Sequence, residues 1–187
     1  MAETKNYDNV RIYGDAESEV WWAPKGTTLP TVMTTDPIAP FWAFGWLGED
    51  GIPLSVSTEV DKFKGMGGVT LRTKVQSTEK SFKVQALEET PGVTGLYFDH
   101  GAPVVTGTGA AKVARIDLPE AIGTVEGVAV VKFVDGGVEK WLCCELVQVS
   151  ERGELPHSAS DMTGYEFTLD ILGASYFLTN APAFTEV

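Results

Sequence analysis

The chain has 187 residues, 43% of them hydrophobic and 21% charged, which suits one globular domain with a sizeable core and excludes a disordered protein. Its net charge of -12 excludes a general affinity for nucleic acid, because phosphate binding depends on clustered Lys and Arg. No run approaches the ~18 to 20 consecutive apolar residues of a membrane span, and the N-terminus MAETKNYDNV lacks a signal core, so a soluble cytoplasmic chain without membrane contact is expected.

Residues 1–19 are polar and acidic, anchored only by Val10, Ile12 and Tyr13, and read as an N-terminal arm. An apolar cluster, Val20 to Ala23, opens the β core expected over 20–172. Pro24 to Pro40 carries four prolines, which forbid helix and interior strand and predict an extended surface loop. The aromatic run Phe41 to Leu47 ends at Glu49-Asp50-Gly51, a turn signal.

Ile52, Leu54, Val56 and Thr58 then alternate with polar residues and Pro53, as in a strand with one buried face that begins at an edge. Asp61 to Gly68 reads as a charged, glycine-rich loop, after which Val69 to Val75 alternates again. A polar turn is expected near Ser77 to Lys80, before the pattern resumes at Phe82, Val84 and Ala86. Thr90 and Pro91 mark a helix start, and Val93, Leu96 and Tyr97 give one apolar stripe over about residues 90–98, interrupted by Gly92 and Gly95.

Gly101 to Ala111 reads as a loop. Val113 to Leu118, Val125 to Val134, Val138 to Val149 and Tyr165 to Leu172 favour strands, with Asp135-Gly136-Gly137 as a hairpin turn and Arg152 to Thr163 as a loop. Residues 173–187, broken by Asn180 and Pro182, read as a C-terminal arm. The fold class expected is mainly β: a β-sandwich or partial barrel of two packed antiparallel sheets, one short flanking helix, two arms and a long loop, all in one domain.

Charge is unevenly spread. Residues 61–87 hold six basic side chains, Lys62, Lys64, Arg72, Lys74, Lys80 and Lys83, against two acidic ones, Asp61 and Glu79. Such an island either pairs with acidic surface on another copy or is a solvated strand face. Asp61, Lys62, Phe63, Lys64, Met66, Arg72 and Lys74, with Glu49 and Asp50 of the preceding turn, are the candidate contacts between subunits.

No catalytic constellation emerges. His157, Ser158, Ser160 and Asp161 have the residue types of a hydrolase triad, but triad members converge from separate elements, and these share one polar loop. Gly107 to Lys112 has the wrong spacing for a phosphate loop and precedes a strand. His100 and His157 lie far apart, and Glu49-Asp50-Gly51 and Glu88-Glu89 lack calcium-loop spacing. No metal or cofactor is therefore expected. Cys143 and Cys144 are strand neighbours that point to opposite faces, so they read as small hydrophobes. The five tryptophans suit core and interface packing, or stacking on carbohydrate or nucleic acid.

Four stretches in this order carry a resemblance: FWAFGWLGEDGIPLSVSTEVDKFKGMGGVTLRT, KSFKVQALEETPGVTGLYFDH, VARIDLPEA and ELVQVSERGELPHSASDMTGYEFTLDIL. Together they resemble the major tail protein, or tail tube protein, family of long-tailed bacteriophages, particularly those of actinobacterial hosts. The resemblance implies a non-enzymatic virion subunit that forms hexameric rings stacked into a tube, with DNA passing through an acidic lumen without specific binding. Tape-measure protein, tail terminator and distal tail protein are the implied partners. Ile52 to Val60 and Val69 to Leu87 would then belong to the lumen hairpin or its neighbour, and Asp61 to Gly68 to a stacking loop. A glycan-binding adhesin of the tail tip and the inner tube of a contractile machine are the alternatives.

Overall fold

A computed structural model describes residues 5–33 and 35–186. Its strands are β1 (Glu19–Pro24), β2 (Trp42–Ala43), β3 (Leu54–Lys64), β4 (Thr70–Ala86), β5 (Val104–Thr106), β6 (Val113–Arg115), β7 (Glu126–Asp135), β8 (Val138–Arg152), β9 (Tyr165–Ile171) and β10 (Ser175–Thr179). The helices are α1 (Pro91–Phe98) and the short α2 (Pro182–Thr185). All pairing is antiparallel: one eight-stranded sheet in the order β2-β1-β7-β8-β9-β4-β3, with β10 also on β8, and a small β5-β6 sheet.

The large sheet curls without closing into a barrel. The segment after β2 reaches its far side, where Leu47 bridges Ala86 and the Gly48 amide donates to the Gln85 carbonyl at 2.9 Å.

The core is built on β1, β7 and β8. One row, Val20, Val131 and Leu142, and another, Trp22, Ala129 and Cys144, face inward onto Phe44, Phe82, Val84, Phe167 and Leu169. The row between them, Trp21, Val130 and Cys143, faces outward with Trp141. Leu29, Met33 and Phe41 cover that outer face, so the proline-rich loop is the lid of a second core. The adjacent cysteines fall in different clusters, as strand alternation demands. Burial pushes their thiols up, to about 11 for Cys143 and about 12 for Cys144, so both stay protonated and inert at neutral pH.

α1 forms where the capping signal places it. The Thr90 hydroxyl accepts from the Val93 amide at 3.3 Å, and Asp99, left-handed at φ 55°, ends the helix. Val93 and Leu96 are buried, and Tyr97 packs edge-on against Tyr165 and Phe167. The two-residue turn Gly136-Gly137 joins β7 to β8 as expected.

Several expectations change. Ser77 to Lys80 is not a turn, because β4 runs unbroken through it opposite Val56 to Glu59. β3 extends to Lys64, so the expected Asp61 to Gly68 loop shrinks to a tight tip at Gly65–Val69. Ile52 to Val60 has no buried residue, so the single buried face expected of it is absent. Of the Phe41 to Leu47 run, only Trp42–Ala43 is strand.

Both expected arms are tied to the body. In the N-terminal one, the Ile12 amide donates to Asp135 at 3.3 Å and the Asp15 carboxylate accepts from the Gly136 amide at 2.6 Å. Residues 1–4 and 187, at the arm ends, lie outside the described residues. In the C-terminal one, β10 pairs with β8 from Cys144 to Lys140 as a continuation of β9. The two are separated by a bulge in which the Leu172 and Gly173 amides both donate to the Leu146 carbonyl, at 2.9 and 3.1 Å. A Cβ at Gly173 would lie 2.8 Å from that of Leu146, so the bulge requires glycine.

The two helix glycines separate in the same way. A Cβ at Gly92 would lie 2.9 Å from the Trp42 ring, itself stacked on Phe44 with centroids 5.3 Å apart, whereas one at Gly95 would meet His100 at an ordinary 3.7 Å. Ala is favoured over Gly in a helix by ~0.5 to 1 kcal/mol. Gly95→Ala should therefore raise the melting temperature and Gly92→Ala lower it, measured by thermal unfolding; equal gains from both would show that the Trp42 contact is not tight.

Candidate assembly surface

β3 and β4 form a hairpin that leaves the body at Phe82. From Leu54 to Lys80 no residue is buried. Register places Leu54, Val56, Thr58, Val60 and Lys62 on one face with Phe82, Lys80, Thr78, Val75 and Thr73. Because Phe82 is fully buried in the core, this face continues the core's apolar layer beyond the body. Val56 is 60% exposed and Val75 55%, and full burial of such a side chain is worth ~1.5 kcal/mol or more. The opposite face carries Glu59, Asp61 and Phe63 with Glu79, Lys74 and Arg72.

Two bulges, at Glu59/Val60 and Phe63/Lys64, adjust the ladder. At the first, the side chain of Gln76 donates to Asp61. β9 covers β4 only from Ser81 to Ala86, so Thr70–Lys80 has a free edge, as β3 has along its outer side. Such edges normally invite association.

The hairpin gathers the candidate contacts Asp61, Lys62, Phe63, Lys64, Met66, Arg72 and Lys74 at its distal end. Phe63 and Met66 are exposed there. Asp61 lies directly opposite Lys74 and Phe63 opposite Arg72. Among the described residues Lys62, Lys64, Arg72 and Lys74 form no ion pair. The stretch 54–86 holds six basic and three acidic side chains, and the rest of the chain holds eight and twenty-three.

Glu49 and Asp50 are not part of this group. They sit in the turn closed by the Gly51 amide on the Gly48 carbonyl, on the rim of a cleft of about 610 Å³ at the hairpin's base. The other wall is Tyr13 to Glu19, a segment with no signal in the sequence that places it here. Glu88 joins them and accepts from the Trp46 amide at 3.0 Å. Burial pushes the Glu19 carboxyl above its ordinary value, with Asp36 and Glu88 adding like charge against Lys132.

A second projection went unrecognised in the sequence. Gly101 to Thr124 holds the β5-β6 hairpin, and Val104, Val105, Val113, Ile116, Leu118 and Ile122 are all exposed on it. The expected strand Val113 to Leu118 is therefore cut to Val113–Arg115 and does not join the core. The β-branched pair Val104-Val105 was the available signal for a strand, and nothing in the sequence marks it as exposed.

Of the residues weighed for chemistry, Ser158, Ser160 and Asp161 of the Arg152 to Thr163 loop meet one another at the surface. Ser158 and Ser160 donate to Asp161 at 2.8 and 3.0 Å on an exposed loop, and these bonds hold its carboxyl below the ordinary range. His100 lies on Thr94 at 2.8 Å, far along the chain from His157. Among the described residues no group of three or more His, Cys, Asp or Glu is arranged to hold a metal ion, and no helix is long and apolar enough to cross a membrane. Trp21, Trp22 and Trp141 are buried and Trp42 half-buried, leaving Trp46, 66% exposed, on the cleft wall.

The sequence profile of the phage tail tube protein family matches residues 3–184. The chain belongs to that family. It is a structural component of the virion tail, and a tail tube protein must present surfaces that other tail subunits cover. No curated protein matches the chain.

Glu19 gives this tail tube protein a pH signature. Its folded carboxyl keeps a proton above its ordinary value of 4.5, so the folded state binds more protons there and stability falls as pH rises through the folded value. Glu19→Gln should therefore melt higher than the parent at pH 7 and level with it near pH 3.5, below the unfolded value, as read by circular dichroism. A lower melting temperature at pH 7 would show that attraction to Lys132 outweighs the burial cost.

Proposed function

We propose that the chain is the self-assembling subunit of the tail tube, joining side by side into rings, with six copies as the family resemblance implies, that stack around a DNA-conducting lumen. The observation that carries this reading is the β3-β4 hairpin: no buried residue from Leu54 to Lys80, an apolar face continuous with the core, and two open edges. A lone subunit leaves that surface wet, and a ring of copies covers it.

Charge supports the same reading. With twenty-three acidic side chains outside the hairpin, a wall built largely from the remainder repels phosphate and lets DNA slide rather than stick. The cations at the hairpin's distal end, which form no ion pair among the described residues, are then contacts between stacked rings. A tape-measure protein inside the tube and a terminator and distal tail protein at its ends are the partners this reading implies. The adhesin alternative needs exposed tryptophans, and four of the five are packed.

Purified protein should form tubes visible by electron microscopy. Lys62→Glu with Lys64→Glu should leave the subunit folded by circular dichroism and cut polymer yield in sedimentation by roughly tenfold or more, the scale of ~1.4 kcal/mol at each contact. Undiminished growth of this variant would remove the stacking role, and a wild-type chain that stays monomeric under every condition would remove the tube reading.

A further inference from the structure

We propose that the cleft at the base of the hairpin is the socket for the hairpin tip of a second copy. The inference rests on the tail tube reading and names the surface that the tip meets.

The tip is a basic, partly apolar knob. Lys62, Lys64, Arg72 and Lys74 surround exposed Phe63 and Met66, and none of these cations has an ion-pair partner among the described residues of its own chain. The cleft has the complementary chemistry. Tyr13, Trp46 and Phe133 line it, together with six carboxylates and no Lys or Arg. Two of the carboxylates are already engaged, Asp15 by the Gly136 amide and Glu88 by the Trp46 amide. Glu17, Glu49 and Asp50 have no such bond among the described residues. The acids do not converge as metal ligands do, so a cation set on a long peptide finger suits them better than a single ion. The aromatic walls, with Trp46 mostly exposed, offer Phe63 and Met66 the apolar contact that a purely acidic patch would not.

Geometry makes the contact intermolecular. Gly51 and Ile52 of the cleft lie just before β3, whose eleven residues at ~3.3 Å each carry the tip about 36 Å from that base. A tip cannot fold back into its own cleft while the hairpin is straight. Knob and socket on one chain, displaced along the hairpin, make a head-to-tail contact, which repeats without limit when it does not close on itself. The same steering by opposite charge favours the correct partner face over the acidic remainder of the surface.

The test uses the full chain. Glu49→Lys with Asp50→Lys, both exposed, should cut polymer yield about tenfold, as the Lys62→Glu, Lys64→Glu pair does. The fourfold variant carrying both pairs should return to within about twofold of wild type, because the charges are exchanged rather than lost. In a second measurement, Asp50→Cys combined with Met66→Cys in one chain should give a ladder of disulfide-linked multimers on a non-reducing gel after mild oxidation, with neither single variant doing so; the native cysteines are buried and do not compete. Wild-type tubes together with normal growth of the Glu49, Asp50 variant, no recovery in the fourfold variant, or no ladder would overturn the socket and leave the tube reading intact. A wild-type chain that forms no tubes would overturn both.

Discussion

The structure depends on one sheet region that is buried on both faces. In β1, β7 and β8 the row Trp21, Val130 and Cys143 faces out while its neighbours, Trp22, Ala129 and Cys144, face in. Sliding any of these strands by one residue would exchange the two faces and place Trp21 where Trp22 packs. Register here is therefore fixed from both sides. The flanking segments follow from it: α1 and β9 close the inner side, and the proline-rich loop with Phe41 closes the outer one.

That double cover concentrates apolar burial in the body of the sheet and leaves the β3-β4 hairpin without a buried residue from Leu54 to Lys80. The hairpin is anchored where Phe82 and Val84 enter the inner core. Its own ladder holds it together, but two strands alone are marginal in water. A hairpin of this length is sustained by its attachment to the rigid body, and its apolar face gains full burial only in contact with another molecule. Folding and assembly thus draw on one continuous apolar layer, divided at Phe82.

The elements that were legible in the sequence are those with one buried side or a local chemical signature. Thr90-Pro91 marked α1 because capping is a property of adjacent residues, and Gly136-Gly137 marked the β7-β8 turn for the same reason. Ser77 to Lys80 was misread because a strand exposed on both faces has no period to display, and four polar residues then look like a turn. Gly101 to Thr124 failed in the opposite sense: Gly101 to Ala111 reads as a loop yet holds β5, and Val113 to Leu118 reads as a strand of the core yet is exposed, since hydrophobicity alone does not say who provides the cover. The cleft was invisible because Tyr13 to Glu19 and Gly45 to Ile52 meet only through the tertiary fold. The basic island was legible because charge can be counted along a chain, although its cross-strand arrangement was not.

Edge protection explains where association is directed. β2 is two residues long, and the chain leaving it goes on to bridge Leu47 to Ala86, so the sheet's first edge is short and followed by a crossing segment. The β5 and β6 edges are three residues each. The long open edges, eleven residues of β3 and Thr70 to Lys80 of β4, belong to the one projection whose charge is opposite in sign to the rest of the chain. Uncontrolled edge pairing between two such hairpins sets cations against cations, whereas contact with the acidic remainder of another copy sets them against carboxylates. The charge reversal therefore acts as a selector: it leaves the aggregation-prone edge available to a correctly placed neighbour and makes a randomly placed one unfavourable.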